Sequence, residues 1–239
     1  MRYLTGLFAA GLLAMTATAS AGEFSGTVTA ASEYDFRGIS LSARDPALQG
    51  SLDFAADNGF YVGAWASNLD YGSDFDGDIE VDYYLGFAGE TASAVGWDVG
   101  AIWYTYPDSS TTLTADKIHD YLEYYAGFTY KVLEFKQWYA DDYVGSGVDA
   151  LYSELNASFD LGSGVTLNLH GGYNYGDAFD GFEYMDYSAG VGYTAGHFDM
   201  ALKITGTDLS GSDKITDDVF NSEARAVLTV STTFPWSSE

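Results

Sequence analysis

The sequence predicts an all-β protein: a single transmembrane antiparallel β-barrel of about twelve strands that follows a cleaved signal peptide. Three observations support this prediction. Residues 1–21 have the pattern of an export signal, apolar and polar residues alternate along most of the remaining chain, and short and long connections between the alternating segments take turns. The chain is therefore expected to leave the cytoplasm and to cross a membrane with strands.

Residues 1–21 are predicted to be the signal peptide. Arg2 gives a charged start, an apolar run covers residues 4–15, and the small residues Ala19-Ser20-Ala21 supply a cleavage site. The mature chain should then begin at Gly22, with the barrel spanning residues 22–239. A helix needs about 20 apolar residues to cross a bilayer, and neither this run nor any later stretch reaches that length. The sequence therefore excludes a helical membrane protein.

Composition narrows the function classes. The chain has 9 Lys and Arg against 35 Asp and Glu, a net charge of −26, which argues against a nucleic-acid-binding protein because phosphate contacts need clustered basic residues. Its aromatic content of 17% sets it apart from disordered acidic chains, which are poor in aromatic residues. It contains no cysteine, so no disulfide framework can stabilise it. We expect a folded, strongly acidic exported protein.

Alternation with a period of two predicts the strands. In the clearest segment, residues 79–87, the odd positions are apolar and the even positions are polar or small, so one face is apolar and the other polar. Residues 224–234 repeat the pattern near the end of the chain. Twelve segments of roughly this kind begin near Glu23, Ala47, Phe60, Asp78, Gly96, Asp120, Leu133, Leu151, Val165, Glu183, His197 and Asn221.

Short and long connections alternate between these segments. The short ones are centred on residues 57–59, 89–94, 131–132, 162–164 and 195–196, which are rich in residues that tolerate tight turns. The long ones are residues 38–46, 69–77, 107–119, 141–149, 175–182 and 206–219. Outer-membrane barrels have short periplasmic turns and longer external loops. An even strand number also predicts that both termini lie in the periplasm.

A soluble secreted β-sandwich is the alternative, because it too hides one face of each strand. Aromatic residues near segment ends favour the barrel, since Trp and Tyr form girdles at both membrane interfaces. The residues expected in such girdles are Trp65, Trp97, Trp103, Tyr104, Tyr106, Trp138, Tyr139, Tyr173, Tyr175 and Tyr193. Segment lengths of about eight to eleven residues also suit a tilted bilayer crossing better than the five or six of soluble sheets.

Several stretches resemble the TorF-type porin family of proteobacterial outer-membrane proteins: YDFRGIS at residues 34–40, DPALQG at 45–50, GFYVG at 59–63, IEVDYYLG at 79–86 and WDVG at 97–100. The resemblance implies an outer-membrane location and a porin role, without an established substrate. One feature departs from the usual pattern of outer-membrane barrels. They finish at a terminal aromatic residue that is recognised during assembly, whereas here Phe234 is followed by PWSSE.

If the apolar faces contact lipid, the polar faces line the lumen. The lumenal carboxylates would then be Glu33, Asp35, Asp53, Glu80, Asp82, Asp98, Glu123, Glu154, Asp186 and Asp199, opposed by Arg37, Lys136, Lys203 and Arg225. Among these, the candidate pore-lining residues are Arg37, Glu80, Asp82, Glu123, Glu154, Asp186, Lys203 and Arg225. Carboxylates lower the energy of cations in a narrow pore, so the sequence predicts a porin-like channel for passive diffusion of small solutes with a preference for cations.

An alternative for the lumen stays open. The same charged groups would pair into a network that fills a closed lumen, and the protein would then be a non-conducting structural or adhesive barrel. Arg37 is the most informative residue for this choice. It is predicted to end the first strand beside Gly38, where it would be either a charge at a constriction or a salt-bridge partner.

No metal, cofactor or catalytic site is predicted. The acidic loop 74–80 has Gly at its fourth position and Leu85 at its twelfth, whereas an EF-hand needs Gly at the sixth and Glu at the twelfth; weak divalent-cation binding there stays an alternative. His119, His170 and His197 lie on different segments without zinc-site spacing, and no nucleophile motif surrounds them. The expected partners are outer-membrane lipid, small solutes or cations, and the barrel-assembly machinery.

Overall fold

The computed structural model describes residues 22–72, 77–107 and 120–236. The predicted signal peptide lies outside the described residues, as do residues 73–76, 108–119 and 237–239. The elements are β1 (Glu23–Ala31), β2 (Asp35–Phe36), β3 (Ile39–Ser40), β4 (Ala47–Ala55), β5 (Phe60–Asn68), β6 (Ile79–Glu90), β7 (Gly96–Thr105), β8 (Tyr121–Tyr130), β9 (Leu133–Ala140), β10 (Ala150–Gly162), β11 (Val165–Tyr175), β12 (Tyr184–Ala195), β13 (Phe198–Thr207) and β14 (Arg225–Phe234), with 3-10 turns at Tyr143–Gly145 and Asp177–Phe179. Over these ranges no helix is long and apolar enough to cross a membrane.

Twelve strands form one closed antiparallel barrel. Strand β1 pairs with β4, each later strand pairs with the next along the chain, and β14 returns to β1 with Gly26 opposite Phe234. Closure matters because it leaves no strand edge with unpaired backbone N–H and C=O groups. The predicted all-β fold with about twelve antiparallel strands is confirmed.

The two-residue alternation sets which side chains face outwards. On β6, Tyr83 and Leu85 are 50% and 52% exposed on the outer wall, whereas Glu80 and Asp82 point inwards and are 1% and 7% exposed. The other barrel strands follow the same rule, and the outer wall carries the large apolar side chains. A polar interior inside an apolar outer wall is the arrangement that a membrane barrel requires.

The two ends of the barrel differ in their connections. At one end, which we call the turn end, the strands are joined by residues 56–59, 91–95, 131–132, 163–164 and 196–197, and both ends of the described chain lie there. At the other, which we call the loop end, the connections are residues 32–46, 69–78, 106–120, 141–149, 176–183 and 208–224. The predicted alternation of short and long connections is present.

The first connection enters the barrel. Residues 32–46, here called the inserted loop, fold into the lumen, and β2 and β3 form a small hairpin within it. Arg37 and Gly38 form the turn of this hairpin with φ of 49° and 80°, the left-handed values of a type I′ turn. Gly38 has no room for a side chain, because a Cβ would lie 2.7 Å from Thr207 Cγ2 and 2.9 Å from Gly206 O.

The prediction that Arg37 ends the first barrel strand is therefore wrong. Strand β1 ends at Ala31, and the chain leaves the wall before Glu33. The physical reason is electrostatic. Inside the lumen, the charged side chains of this segment form ion pairs with the barrel strands, whereas a continued strand would hold them at the wall.

An aromatic core fills the loop-end half of the lumen around the inserted loop. Tyr34 packs edge-on against Trp65 with ring centroids 5.3 Å apart, and Phe36 packs against Tyr104 at 6.2 Å. The other buried aromatic residues of this core are Tyr71, Tyr106, Tyr121, Tyr125, Trp138 and Tyr152.

The predicted girdle is correct only in part. Trp97, Trp103, Tyr139, Tyr173 and Tyr193 do lie on the outer wall, and so does Tyr175, which stacks on Tyr173. By contrast, Trp65, Tyr104, Tyr106 and Trp138 pack in the interior core. These residues lie near a segment end, but whether a side chain faces the outer wall or the lumen depends on whether its position along the strand is odd or even.

Candidate functional site in the barrel lumen

All eight predicted pore-lining residues lie in the barrel interior. Arg37 lies on the inserted loop and the other seven lie on six barrel strands: Glu80 and Asp82 on β6, Glu123 on β8, Glu154 on β10, Asp186 on β12, Lys203 on β13 and Arg225 on β14. Ion pairs and hydrogen bonds connect most of them through the inserted loop. That they line a conducting pore stays a prediction.

Arg225 ties the inserted loop to the last strand. Its Nε donates to Glu33 Oε2 and its Nη2 donates to Asp35 Oδ1, each at 2.6 Å, and its Nη1 donates to the carbonyl oxygen of Gly38 at 2.8 Å. The guanidinium group is suited to this role because its fixed fork of donors can serve several acceptors at once. One side chain of the wall thus binds the first strand of the hairpin and its turn.

Asp35 binds a second basic side chain, Lys203, through its other carboxylate oxygen. Lys203 Nζ donates to Asp35 Oδ2 at 2.7 Å, and Thr205 Oγ1 donates to the same oxygen at 3.0 Å. The carboxylate of the hairpin therefore bridges β13 and β14. A buried carboxylate with this many donors is held firmly, since its lost hydration is replaced by charge-assisted hydrogen bonds.

Arg37 crosses the lumen to the opposite wall. Its Nη2 donates to Glu123 Oε2 on β8 at 2.7 Å, and Tyr104 Oη also donates to that oxygen at 3.1 Å. The Arg37 Cζ atom lies 4.2 Å from the ring centroid of Tyr152 and 4.7 Å from that of Phe36. Ion pairing and cation–π contacts together hold this guanidinium group in the middle of the barrel.

Glu80 and Asp82 lie apart from these ion pairs. Tyr34 Oη donates to Glu80 Oε1 at 2.9 Å, which joins the inserted loop to β6. Among the described residues neither carboxyl group has a Lys or Arg within ion-pair distance, and Asp82 Oδ1 is buried without a hydrogen-bond partner. The inserted loop covers this pair, so the two groups do not face an open passage.

Glu154 and Asp186 belong to a network around His170. His170 Nε2 lies 2.7 Å from Asp186 Oδ1, and His170 Nδ1 lies 2.7 Å from Asn156 Oδ1. Trp138 Nε1 donates to Glu154 Oε1 at 2.8 Å. His197 lies far from this network in the fold and stacks on Trp236, and His119 lies outside the described residues.

The acidic side chains in the turn-end half of the lumen are less buried than those in the loop-end half. Among the described residues, the charged side chains that face this space and are at least partly buried are Asp53, Asp98, Glu134, Lys136 and Asp199; we call the space the vestibule. The four carboxylates are only partly buried, so water reaches them. Lys136 is the one base of this set, and its Nζ lies 3.2 Å from Asp98 Oδ2.

The sequence predicted which of these side chains face the lumen better than it predicted how deeply each is buried there. Asp53, Asp98 and Asp199 were expected in the lumen but not among the eight candidates, and Glu134 was missed. The apolar Leu133 and Phe135, which face outwards on either side of Glu134, indicate that Glu134 faces the lumen. In the part of the chain that the structure describes, no three His, Asp or Glu side chains converge to hold a metal ion.

The comparisons with known proteins concern the family and the fold. A family model described as a bacterial protein of unknown function (Gcw_chp) matches residues 15–234. No curated protein is significantly similar in sequence. Among solved structures, the barrel is similar to the KdgM porin with 8% identity over 89% of this chain and 99% of that one, at a TM-score of 0.54. It is likewise similar to the NanC porin with 10% identity over 88% and 99%, also at 0.54. At these identities the similarity shows the fold alone.

Proposed function

The chain belongs to the Gcw_chp family of bacterial proteins, whose function is unknown, and we propose that it works as a porin-like channel in the outer membrane. The observation that carries the proposal is the closed twelve-stranded barrel with an apolar outer wall and a polar vestibule. The apolar wall suits outer-membrane lipid, and the vestibule suits small polar solutes or cations. The fold shared with the KdgM and NanC porins supports this role, as does the resemblance to the TorF-type porins.

The vestibule supports a preference for cations. Four carboxylates face one lysine there, and they lie in a confined, partly hydrated space where an ion interacts with them more strongly than in bulk water. From the sequence, the preference was expected to come from Glu80 and Asp82 among others. Because the inserted loop covers those two, we assign the preference to Asp53, Asp98, Glu134 and Asp199 instead.

The proposed orientation follows from the two ends of the barrel. The turn end would face the periplasm with both termini, and the loop end would face the medium. Strand β14 ends at Phe234, and the barrel-assembly machinery would recognise this terminal strand. The protein would act without a cofactor and without catalysis, by letting solutes diffuse.

A specific observation favours the second candidate, a non-conducting barrel. The inserted loop joins β6, β8, β13 and β14 through Tyr34, Arg37 and Asp35, so the loop-end half of the lumen is filled in this conformation. Conduction would require this loop to move away from at least one of these strands. A structural barrel would keep it in place.

Single-channel recording separates the two candidates. The folded protein, reconstituted in a planar bilayer, should show discrete conductance steps, and a KCl gradient should give a reversal potential of the sign for cation selectivity. The preference should weaken at high salt, because the Debye length falls to about 3 Å at 1 M. Absence of conductance would favour the filled barrel, and an anion preference would contradict the role of the vestibule. Boiled protein serves as the control for contaminating channels.

A further inference from the structure

Two carboxyl groups on strand β6 are in direct contact inside the barrel. Glu80 and Asp82 are two residues apart, so both point to the same side of the strand, and they are 1% and 7% exposed. Their side chains form a hydrogen bond with each other. An ionised carboxylate can only accept hydrogen bonds, so a bond between two carboxyl groups requires a proton on one of them. The pair therefore holds one proton.

No Lys or Arg lies within ion-pair distance of this pair in the part of the chain that the structure describes. On β5, the residues opposite Glu80 and Asp82 are Ser67 and Trp65, which have no charge. The titratable side chains around the pair are neutral tyrosines and one more carboxylate: Tyr34 from the inserted loop, Tyr71 from the next loop, Tyr104 from β7, Tyr106 just after it, Tyr143 from the 3-10 turn and Glu123 from β8. Arg37 compensates the charge of Glu123. Two ionised carboxylates on β6 would therefore repel each other with neither water nor a base to offset the repulsion.

The hydrogen bonds around the pair indicate which residue carries the proton. Glu80 Oε1 accepts from Tyr34 Oη at 2.9 Å, and this donor stabilises the ionised form of Glu80. No donor among the described residues reaches Asp82 Oδ1, although that atom is buried. A buried carboxylate oxygen without a donor is more costly than the carbonyl oxygen of a neutral acid, because the carboxylate oxygen carries part of a negative charge. The proton therefore lies on Asp82.

We propose that Asp82 is a proton-binding site, protonated at neutral pH and donating its hydrogen bond to the Glu80 carboxylate. When the pH rises far enough, the carboxylic O–H bond breaks, the proton passes to solvent and the electron pair stays on Asp82. Two negative charges then lie in contact beside Tyr34, which joins the inserted loop to Glu80 and packs on Trp65. Loss of the proton should therefore weaken the attachment of the inserted loop to β6. The proposal concerns the proton alone and holds for an open or a closed barrel.

Infrared spectroscopy tests the protonation state directly, because the carbonyl stretching band of a protonated carboxyl group is absent from a carboxylate. The full-length mature protein in detergent at neutral pH should show this band, and isotopic labelling of aspartate should shift it. Asp82→Asn should remove the shifted band. Asp35→Asn is the matched control and should leave it, since Asp35 is ionised between Lys203 and Arg225. Absence of an aspartate band in the native protein, or a band that Asp82→Asn leaves unchanged, would overturn the proposal.

The pH dependence of stability gives a second readout. The folded protein keeps a proton that the unfolded chain releases above the ordinary pKa of aspartic acid, about 4, so stability falls as the pH rises. Asp82→Asn has no proton to release, and its amide can still donate to Glu80. The unfolding equilibrium constant of the native protein, divided by that of Asp82→Asn, should therefore rise about tenfold per pH unit through the neutral range. A ratio that does not change with pH would contradict the bound proton.

A metal cation between two ionised carboxylates is the competing explanation, and salts of different cations distinguish it. Sodium and calcium chloride, each compared with choline chloride at the same ionic strength, should not stabilise the native protein through this pair. A saturable stabilisation by either metal ion that Asp82→Asn abolishes would overturn the proposal. Retention of the heat-dependent mobility shift on a detergent gel shows that each variant is folded.

Discussion

Arg37 Nη2 lies 2.7 Å from Glu123 Oε2 in the middle of the barrel, and the two side chains are only 5% and 1% exposed. A buried pair of this kind is expensive to break on one side, because the remaining charge has neither water nor a partner. Removal of one member of such pairs typically costs about 3–5 kcal/mol. The pair is therefore a point where the inserted loop is sensitive to substitution.

The first prediction concerns this pair. Arg37→Met should lower the free energy of unfolding by roughly 3–5 kcal/mol, because Glu123 loses its partner. The double variant Arg37→Met/Glu123→Gln should recover most of the loss, since the amide that replaces the Glu123 carboxylate has no charge to compensate and still accepts from Tyr104. Urea unfolding followed on detergent gels measures both. Equal stability of the single variant and the native protein would mean that the pair contributes nothing.

The second prediction is that the inserted loop controls conduction. Ser42 and Asp70 form an isolated parallel bridge between this loop and the next one, and the N–H of Asp70 donates to the Leu41 carbonyl oxygen at 3.0 Å. Because the chain contains no cysteine, the pair Ser42→Cys/Asp70→Cys can be joined by one disulfide without competing thiols. The oxidised protein should conduct less than the same protein after reduction. Identical conductance in both states would argue against a gating loop, and the single variant Asp70→Cys controls for the reductant.

The third prediction concerns selectivity. Asp53→Asn and Asp199→Asn should each lower the cation preference, because each removes a charge from the hydrated vestibule. The amide oxygen of each new side chain can still accept from Tyr84 or Thr194, so the local hydrogen bonds survive. Reversal potentials in a KCl gradient measure the effect. Tyr83→Phe, on the outer wall, is the control and should leave the reversal potential unchanged. An effect as large as that of the vestibule variants would show that the vestibule does not set the selectivity.

The fourth prediction concerns orientation. Cysteine at Ser212, in an exposed part of the loop end, should react with an impermeant thiol label on intact cells, whereas cysteine at Ser163, in an exposed turn, should react only after the outer membrane is permeabilised. Labelling intensity on a gel reports both. The reverse pattern would show that the barrel sits the other way round.

The fifth prediction concerns a titration outside the barrel strands. Lys214 Nζ lies 2.9 Å from Glu223 Oε1, and the hydrogen bond and charge of Lys214 hold the pKa of Glu223 below its ordinary value of 4.5. A lowered folded-state pKa means that the pairing stabilises the loop above the ordinary value and is lost as the pH falls through the folded value. Lys214→Met should therefore raise the pKa of Glu223 towards 4.5, as measured by carboxyl-carbon NMR. Lys131→Met, in a turn at the other end, should leave it unchanged.

Much of the fold could be predicted because strand alternation is a local property. Residues 79–87 show in sequence which side chains face the barrel interior and which face the outer wall, since neighbouring side chains on a strand point to opposite faces. Eleven of the twelve predicted segment starts lie within one residue of a strand start, and the last, Asn221, precedes Arg225 by four. The same rule put the eight charged candidates in the interior.

The inserted loop could not be predicted in this way. Glu33, Asp35 and Arg37 continue the polar positions of β1, so the pattern of an extended strand runs on through the point where the chain leaves the wall. The backbone conformation at Arg37 and Gly38 turns the inserted loop back on itself, and partners on distant strands hold the loop in the lumen. Periodicity carries no information on either. For the same reason it could not separate the covered carboxylates of β6 from the hydrated ones of the vestibule.

The bonds from Arg225 to Glu33 and Asp35 have a consequence for the order of assembly. They join residues 192 and 190 positions apart along the chain. Contacts of such high sequence separation carry a large loop-closure cost and form late. Strand β14 is also the strand that seals β1, so barrel closure and anchoring of the interior are completed by the same final segment. Until β14 docks, Glu33 lacks its basic partner and Asp35 has only Lys203, which disfavours burial of the inserted loop before the barrel closes.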